Sequence, residues 1–325
     1  MKQVLLFDTA IATTNIGDEI IFDSVKEGLS RILDESLVFR LGTHIENYNA
    51  FQMYHNLKYK LLCQNADYKF ICGTNLLAET VKGRFSQWQI NPFNFSLYEG
   101  SVLVGVGRRI DYTFVDNYTA RLYKKILSKK YVHSVRDDET KRVVEALGLT
   151  AINTGCPTLW KLTPEFCEGI PQTKAKNAVL SVSGYEGQSN PDADVKLIDI
   201  VKSNYQDVYV WIQTAVDEKY FDSLPNSDGV THIYSLNKFS DVLMNRNVDY
   251  IGTRLHGGIF ALQHQVRTIV VSIDERAEGF HQTNNLPIVR RDEIELILEK
   301  TIHSAWKTKI VPREKEIKEF LNQFI

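Results

Sequence analysis

The chain has 325 residues, with 38 Lys and Arg against 40 Asp and Glu and a formal net charge of −2. The two signs are interleaved, so the charge gives no footprint for a nucleic acid. No apolar run approaches the ~18–20 residues that span a bilayer, and the length suits two α/β domains of about 100–200 residues each.

The run from Met1 to Phe7 looks like the start of a signal sequence, but Asp8 ends it early and no small-residue cleavage site follows. It is expected to be a buried strand of a cytoplasmic protein. Cys63, Cys72, Cys156 and Cys167 share no metal-ligand spacing and do not resemble a disulfide framework. No Asp-x-Asp or His cluster compels a metal, and neither a metal nor a cofactor is expected.

Taken in order, Gln3–Thr9 is a strand, and Asn15-Ile16-Gly17-Asp18-Glu19 leads into a helix with Ile20, Ile21, Val25 and Leu29 on one face. Asn15 or Asp18 can cap that helix and Gly17 allows a tight turn, which taken alone is a plain helix start. Ser36–Leu41 is a second strand, Tyr48–Asn65 a helix, and Tyr68–Cys72 a third strand ending in Gly73-Thr74-Asn75. The aromatic stretch from Trp88 to Gly100 (Trp88, Phe93, Phe95, Tyr98) is a loop folded on the core or a platform for sugar rings. Ser101–Val106 closes in Gly105-Val106-Gly107, which does not complete a dinucleotide fingerprint. After a helix over Val115–Leu127, the strand Tyr131–Val135 delivers Arg136 to its carboxyl end. Acids open the next helix, Asp138–Leu147, where they suit the dipole, and Gly148 closes it. Strand Thr150–Thr154 then runs into Gly155-Cys156-Pro157.

Between Thr163 and Asn177 the pattern lapses into Pro164, Gly169 and Pro171, which places a linker at 166–177 between domains 1–165 and 178–305. Beyond it strands and helices alternate afresh through Thr268–Ile273. The last segment, 306–325, is expected to carry an amphipathic helix (Ile317, Phe320, Leu321, Ile325) that packs back on the first domain. Strands spaced by helices mean parallel βαβ units. The fold class is α/β, with two Rossmann-like domains facing across a cleft lined by strand carboxyl ends.

The most telling stretch is Asp249 to Gln263. A strand over Val248–Ile251 meets a helix beginning near Gly257, and between them stand Arg254, Leu255 and His256. A helix amino end after a parallel strand favours anions. Arg254 offers a two-pronged grip on a carboxylate or phosphate, and His256 a proton near neutral pH. Gly257 and Gly258 would let a ligand approach the backbone. The plainer reading is an Arg and a His satisfied by local carbonyls. One wall of the expected cleft carries Asn15, Gly17, Asp18, Thr74, Asn75 and Arg136; the other carries Arg254, His256 and a loop from Asp274 through Arg276 to His281.

Three runs in this order, Asn15-Ile16-Gly17-Asp18-Glu19, Ser134-Val135-Arg136-Asp137 and Gly252-Thr253-Arg254-Leu255-His256-Gly257, resemble the polysaccharide pyruvyl transferase family over nearly the whole chain. The late run is the most specific. The chain departs from the family pattern at Cys72-Gly73-Thr74 and at Cys156-Pro157. The resemblance implies a GT-B-like pair of Rossmann domains and transfer of a pyruvyl group from phosphoenolpyruvate onto two hydroxyls of a sugar. It makes Arg254, Leu255 and His256 donor-site residues, with Gly257 beside them and Arg136 a second anion contact. Phosphoenolpyruvate carries a carboxylate and a phosphate, so cations and a helix amino end answer its charge. His256 would move the proton, Asp18 would deprotonate the acceptor, and Asn15, Gly17, Thr74 and Asn75 would line the acceptor side. The acceptor's carrier, lipid or polymer, stays open, with peripheral membrane contact at most. Two other readings remain: a GT-B-type glycosyltransferase using a nucleotide sugar, and a sugar-binding protein without turnover.

Overall fold

The computed structural model describes residues 1–55, 57–82, 87–109, 112 and 114–324, the side chains of 50 and 57 apart. The chain forms two compact units. Unit 1 gathers residues 1–13, 18–160 and 313–325, and unit 2 gathers residues 14–17 and 161–312.

Unit 1 is built on four parallel strands, β1 (Lys2–Asp8), β2 (Ser36–Gly42), β3 (Tyr68–Cys72) and β4 (Val102–Val104), in the order β2-β1-β3-β4. Val4, Leu5, Leu6 and Phe7 are all fully buried. Since neighbouring residues of a strand point to opposite faces, β1 is covered on both sides, as parallel sheets require. Because β2 and β3 lie on opposite sides of β1, the connections leaving β1 and β3 part there, which makes a topological switch point. A second pair, β5 (His133–Val135) and β6 (Ala151–Asn153), extends the array through a backbone bridge from Val106 to Val135 and through side chains. The Leu103 N–H donates to His133 Nδ1 at 3.1 Å, and the Gly105 N–H to Ser134 Oγ at 2.9 Å. Burial pushes the His133 pKa from its ordinary 6.5 down to about 4. The ring is therefore neutral, with its proton on Nε2, which donates to the Ser128 carbonyl at 2.9 Å.

Two rings of the aromatic stretch lie in the core, while Phe93 stays 63% exposed. Trp88 stacks on Tyr123 at 5.8 Å and Tyr98 on Phe7 at 4.3 Å, and both Trp88 and Tyr98 are fully buried. The helix expected over Tyr48–Asn65 is found as Ala50–His55 and Leu57–Gln64, and Asn56 lies outside the described residues. The C-terminal helix, Glu314–Asn322, belongs to unit 1. Its Phe320 meets Trp160 at 6.4 Å, and Phe324 meets Phe70 at 5.0 Å. The Gln323 carboxamide exchanges two hydrogen bonds with the Val132 backbone just ahead of β5. Ile325 lies outside the described residues.

Unit 2 is one six-stranded sheet, all parallel: β7 (Asn177–Ser181), β8 (Val208–Trp211), β9 (Thr231–Ile233), β10 (Val248–Gly252), β11 (Thr268–Ser272) and β12 (Ile288–Arg290). Its order is β12-β11-β10-β7-β8-β9. The chain walks outward from β7 to β9, returns to the centre at β10 and walks out the other way, so the order reverses between β7 and β10. The segment 166–177, expected as a linker, lies within this unit. It is held there by Gln265 Nε2 on the Phe166 carbonyl, Trp306 N on Gln172 O, and Ala175 N on the Asp249 carboxylate. Where a loop was expected after Asp274 there is a helix, Glu275–Asn284, capped by the Asp274 carboxylate on the Arg276 N–H and ended by Asn285 at φ 59°. Only Ala277 and Asn284 of it are buried, so it lacks the apolar stripe by which a helix is recognised.

His133 makes stability pH-dependent. Below about pH 6.5 the unfolded chain takes up a proton here that the folded chain refuses until about pH 4, so stability is lost as pH falls through that window. His133→Phe should lower stability by about 1–3 kcal/mol at neutral pH, because the Leu103 N–H is left buried without an acceptor. It should also flatten this part of the acid dependence; urea midpoints at pH 7 and pH 5 for both proteins measure the two effects.

Candidate functional site

In unit 1 the loop leaving β1 turns into the helix Gly17–Gly28 and sets Asp18 in its first turn, 6% exposed. Thr13 Oγ1 donates to Asp18 Oδ2 at 2.6 Å, and Thr74, at the end of β3, to Oδ1 at 3.4 Å. Burial raises the Asp18 pKa, opposed by the Thr13 bond, by the charge of His44 and by Thr74. His44 follows β2 and Thr43; burial lowers its pKa while Asp18 and Asp8 pull it back up. Each group thus feels the charge of the other. Thr13 and His44 were missed by sequence reasoning. The available signal was Gly42-Thr43-His44, small and polar at a strand's carboxyl end like Gly73-Thr74-Asn75.

Asn75 and Arg136 converge on Gly107. A Cβ at residue 107 would run into Arg136 Nε and come within 2.7 Å of Asn75 Oδ1. The Arg136 side chain is 11% exposed, its Nε 3.5 Å from the Asp137 carboxylate. Gly73 and Thr74 both take positive φ, 62° and 51°, and a side chain at Gly73 would strike Ile21. Gly105, also at positive φ, lies under Pro157, so the glycines flanking Val106 serve packing.

In unit 2, Thr253, Arg254, Leu255, His256 and Gly257 stand at the point of order reversal. The Arg254 N–H donates to Ser181 Oγ at the end of β7, 3.2 Å away, tying the two central strands together. Its guanidinium is 5% exposed and closed on Asp217: Nε donates to Oδ2 at 2.9 Å and Nη2 to Oδ1. Tyr185 covers it at 4.4 Å, and Thr214 Oγ1 lies 3.4 Å from Nη2. The two-pronged face expected to grip a ligand is therefore taken up by a protein carboxylate. The cause is the capping box of helix Ala215–Ser223, in which Thr214 and Asp217 bind each other's backbone and fix Asp217 in place. The helix Leu255–Gln263 starts with half-buried His256 in its first turn. A Cβ at Gly257 would come within 2.7 Å of the Tyr250 hydroxyl and one at Gly258 within 2.7 Å of Val270, so both glycines let helix and strand pack closely. The backbone approach expected there is made by Tyr250, Trp211 and Val270.

Asn15 and Gly17 also bind the chain itself. Asn15 Oδ1 accepts from Gln213 Nε2 at 2.8 Å and from the Gly17 N–H at 3.0 Å, and the Ile16 N–H donates to Gln213 O. Arg276 is folded onto Asp274, Nη2 to Oδ2 at 2.6 Å. His281 sits in the last turn of its helix, Nδ1 2.8 Å from Leu286 O. At 1.5 Å per residue it is roughly 9 Å along the axis from Glu275, which removes it from the strand ends where it was expected. A cavity of about 480 Å³ opens at the ends of β11 and β12 between Asp274, Glu278, Arg290 and Arg291. Arg290 is paired with Glu278, so much of the cationic charge in that wall is already answered. Three buried oxygens without a hydrogen-bond partner, Thr9 Oγ1, Asn75 Oδ1 and Thr253 Oγ1, stand just past the ends of β1, β3 and β10. Polar groups in that condition are what a polar ligand satisfies.

Two stability measurements follow from this geometry. Asp217→Ala leaves the Arg254 guanidinium buried and uncompensated and should cost about 3–5 kcal/mol; replacing both residues by apolar ones should cost less. Urea unfolding of the single and double variants makes the comparison. For Asp18, the folded chain keeps a proton above the ordinary value of 3.8 that the unfolded chain has released. Stability is therefore lost as pH rises through that window, and the ionised carboxylate remains a cost above it. The melting temperature of Asp18→Asn at neutral pH should hold or rise.

The sequence model of the polysaccharide pyruvyl transferase family matches residues 15–275, from the Asn15 turn through Arg254-Leu255-His256. No curated protein matches the sequence. Among solved structures, UDP-GlcNAc 2-epimerase from Methanocaldococcus jannaschii superposes with a TM-score of 0.59 at 13% identity, each chain covered to 99%. The same enzyme in complex with UDP-GlcNAc and UDP gives 0.55 at 12% identity, again with 99% of both chains. S. aureus MnaA in its UDP co-structure gives 0.52 at 10% identity, covering 99% of this chain and 96% of that one. Likeness at this level is one of fold, and the fold is α/β of the GT-B-like class, built from two Rossmann-like units. By the extent of the family match, which covers most of the chain, this chain belongs to the polysaccharide pyruvyl transferase family of transferases.

Proposed function

We propose that this protein moves a pyruvyl group from phosphoenolpyruvate onto two hydroxyls of a sugar in a cell-surface polysaccharide or its precursor, in the cytoplasm, and closes a cyclic ketal there. Family membership supports the reaction class. The observation that carries the rest is His256 in the first turn of a helix at the strand reversal of unit 2, next to the buried Thr253 hydroxyl. A helix amino end at a switch point favours an anionic donor.

In this reading unit 2 carries the donor residues and unit 1 the acceptor residues. His256 delivers a proton to C3 of the donor while a sugar hydroxyl adds to C2, turning the methylene into a methyl group. Phosphate then leaves, the second hydroxyl attacks the same carbon, and its proton departs with the phosphate. Asp18, with its raised pKa and His44 beside it, takes the proton of the attacking hydroxyl. Arg254 has a different task from the clamp expected of it. Locked to Asp217, it fixes the turn that presents Leu255, His256 and the Gly257 N–H. Arg136, packed with Asn75 on Gly107, supplies positive charge for the donor. Thr74 acts through Asp18, and Asn15 and Gly17 through the loop they anchor.

His256→Ala should lower turnover by about 10²–10⁴-fold, the usual worth of general acid–base catalysis. Affinity for phosphoenolpyruvate should stay largely intact. Phosphate release in the presence of pyruvylatable sugars measures the first, and the shift of melting temperature with donor concentration measures the second. Full turnover in this variant removes His256 from the chemistry. Stabilisation by nucleotide sugars in place of phosphoenolpyruvate would favour a glycosyltransferase, and binding of sugar alone without turnover a carbohydrate-binding protein.

A further inference from the structure

The helices Ala50–His55 and Leu57–Gln64 of unit 1 turn one side to the core, where Met53 and Cys63 are 8% and 2% exposed. The opposite side is open and apolar. Phe51 is 71% exposed, Tyr54 82%, Tyr59 51% and Leu61 44%. Together they present an apolar area on the order of 400 Å², as large as the biggest patches monomeric proteins carry, and such patches mark interaction sites. Phe51 and Tyr54 lean on exposed His55, at 4.2 and 5.1 Å between ring centres, and make one aromatic cluster. Lys58 is exposed and Lys60 half-exposed among them, and the sequence from Asn47 to Ala66 contains no acidic residue. Lys58 and Lys60 thus have no acid within that run of twenty positions.

We infer that this helix pair docks unit 1 on an anionic lipid bilayer, lying in the plane of the interface. Aromatic rings settle at headgroup depth, and lysines beside them meet lipid phosphates while their stems stay with the apolar layer. The charge complementarity decides the occupant, since the buried centre of a protein–protein contact is depleted in lysine. Among the described residues no helix is long and apolar enough to cross a membrane, so the contact is superficial. The inference does not rest on the proposed transfer reaction, because docking needs neither donor nor acceptor.

The test is co-sedimentation of the full chain with vesicles of phosphatidylcholine alone and with vesicles in which about a third is replaced by phosphatidylglycerol. Binding is expected to the anionic vesicles only and to weaken with added salt. Phe51→Ser with Tyr54→Ser, and separately Lys58→Glu with Lys60→Glu, should each lower vesicle affinity at least roughly tenfold. Melting temperatures should not change, since these side chains lie outside the core. Failure to bind anionic vesicles, equal binding to neutral ones, or indifference to both double variants overturns the inference. So does loss of chain self-association in the aromatic variant without any vesicle binding, which would assign the face to a second copy.

Discussion

A parallel strand cannot turn directly into its neighbour. Each return needs a crossover, so every connection that leaves a strand's carboxyl end gathers on one edge of the sheet. Both units of this protein obey that constraint throughout, and in each the strand order reverses once near the middle, at β1/β3 and at β7/β10. Where it reverses, neighbouring connections diverge and backbone N–H groups of a following helix are left facing outwards. Asp18, Thr74 and Asn75 owe their position to the first reversal, and Thr253 to Gly257 owe theirs to the second. The chemistry proposed for the chain is placed by sheet topology before any particular side chain acts.

The second theme is that several arginines in unit 2 are answered by a nearby acid. Arg254 closes on Asp217, Arg267 on Asp249, and Arg276 on Asp274. Arg267, fully buried, also donates to the carbonyls of Thr301, Ile302 and Ser304, and so fastens the end of the helical segment that follows β12. A guanidinium taken out of water needs such partners, because the desolvation of a lone charge exceeds most single contacts. An arginine in a run that matches a family is therefore as ready to be a brace as a ligand-binding group. The difference lies in whether a carboxylate from another element reaches it first.

That difference explains what could be read from the sequence. The alternation of apolar runs and amphipathic helices gave away the parallel architecture, and Arg254-Leu255-His256 was correctly seen as a strand-to-helix junction. Asp217 lies 37 positions from Arg254, and no pattern within either helix announces that they meet. His44 was hidden for the same reason: its relation to Asp18 is made by the pairing of β1 with β2, a contact between distant parts of the chain. The helix Glu275–Asn284 escaped because it has almost no buried face, and β12 because three residues after Pro287 leave no period to detect. Gly257 and Gly258 could be read two ways, as room for a ligand or room for a helix, and only the nearness of Tyr250 and Val270 separates the two.

The division of the chain between the units is not a single cut. Four residues, 14–17, leave unit 1 to join unit 2, where Asn15 clasps Gln213, and the last thirteen residues return to unit 1 with Phe320. A fragment that starts at Lys161 therefore lacks the tetrapeptide that covers Gln213. One that ends at Trp160 lacks the helix that shields that same tryptophan. Neither half of the gene encodes a finished body, and evolution cannot exchange one half for a foreign counterpart without also grafting a short stitch from the far side.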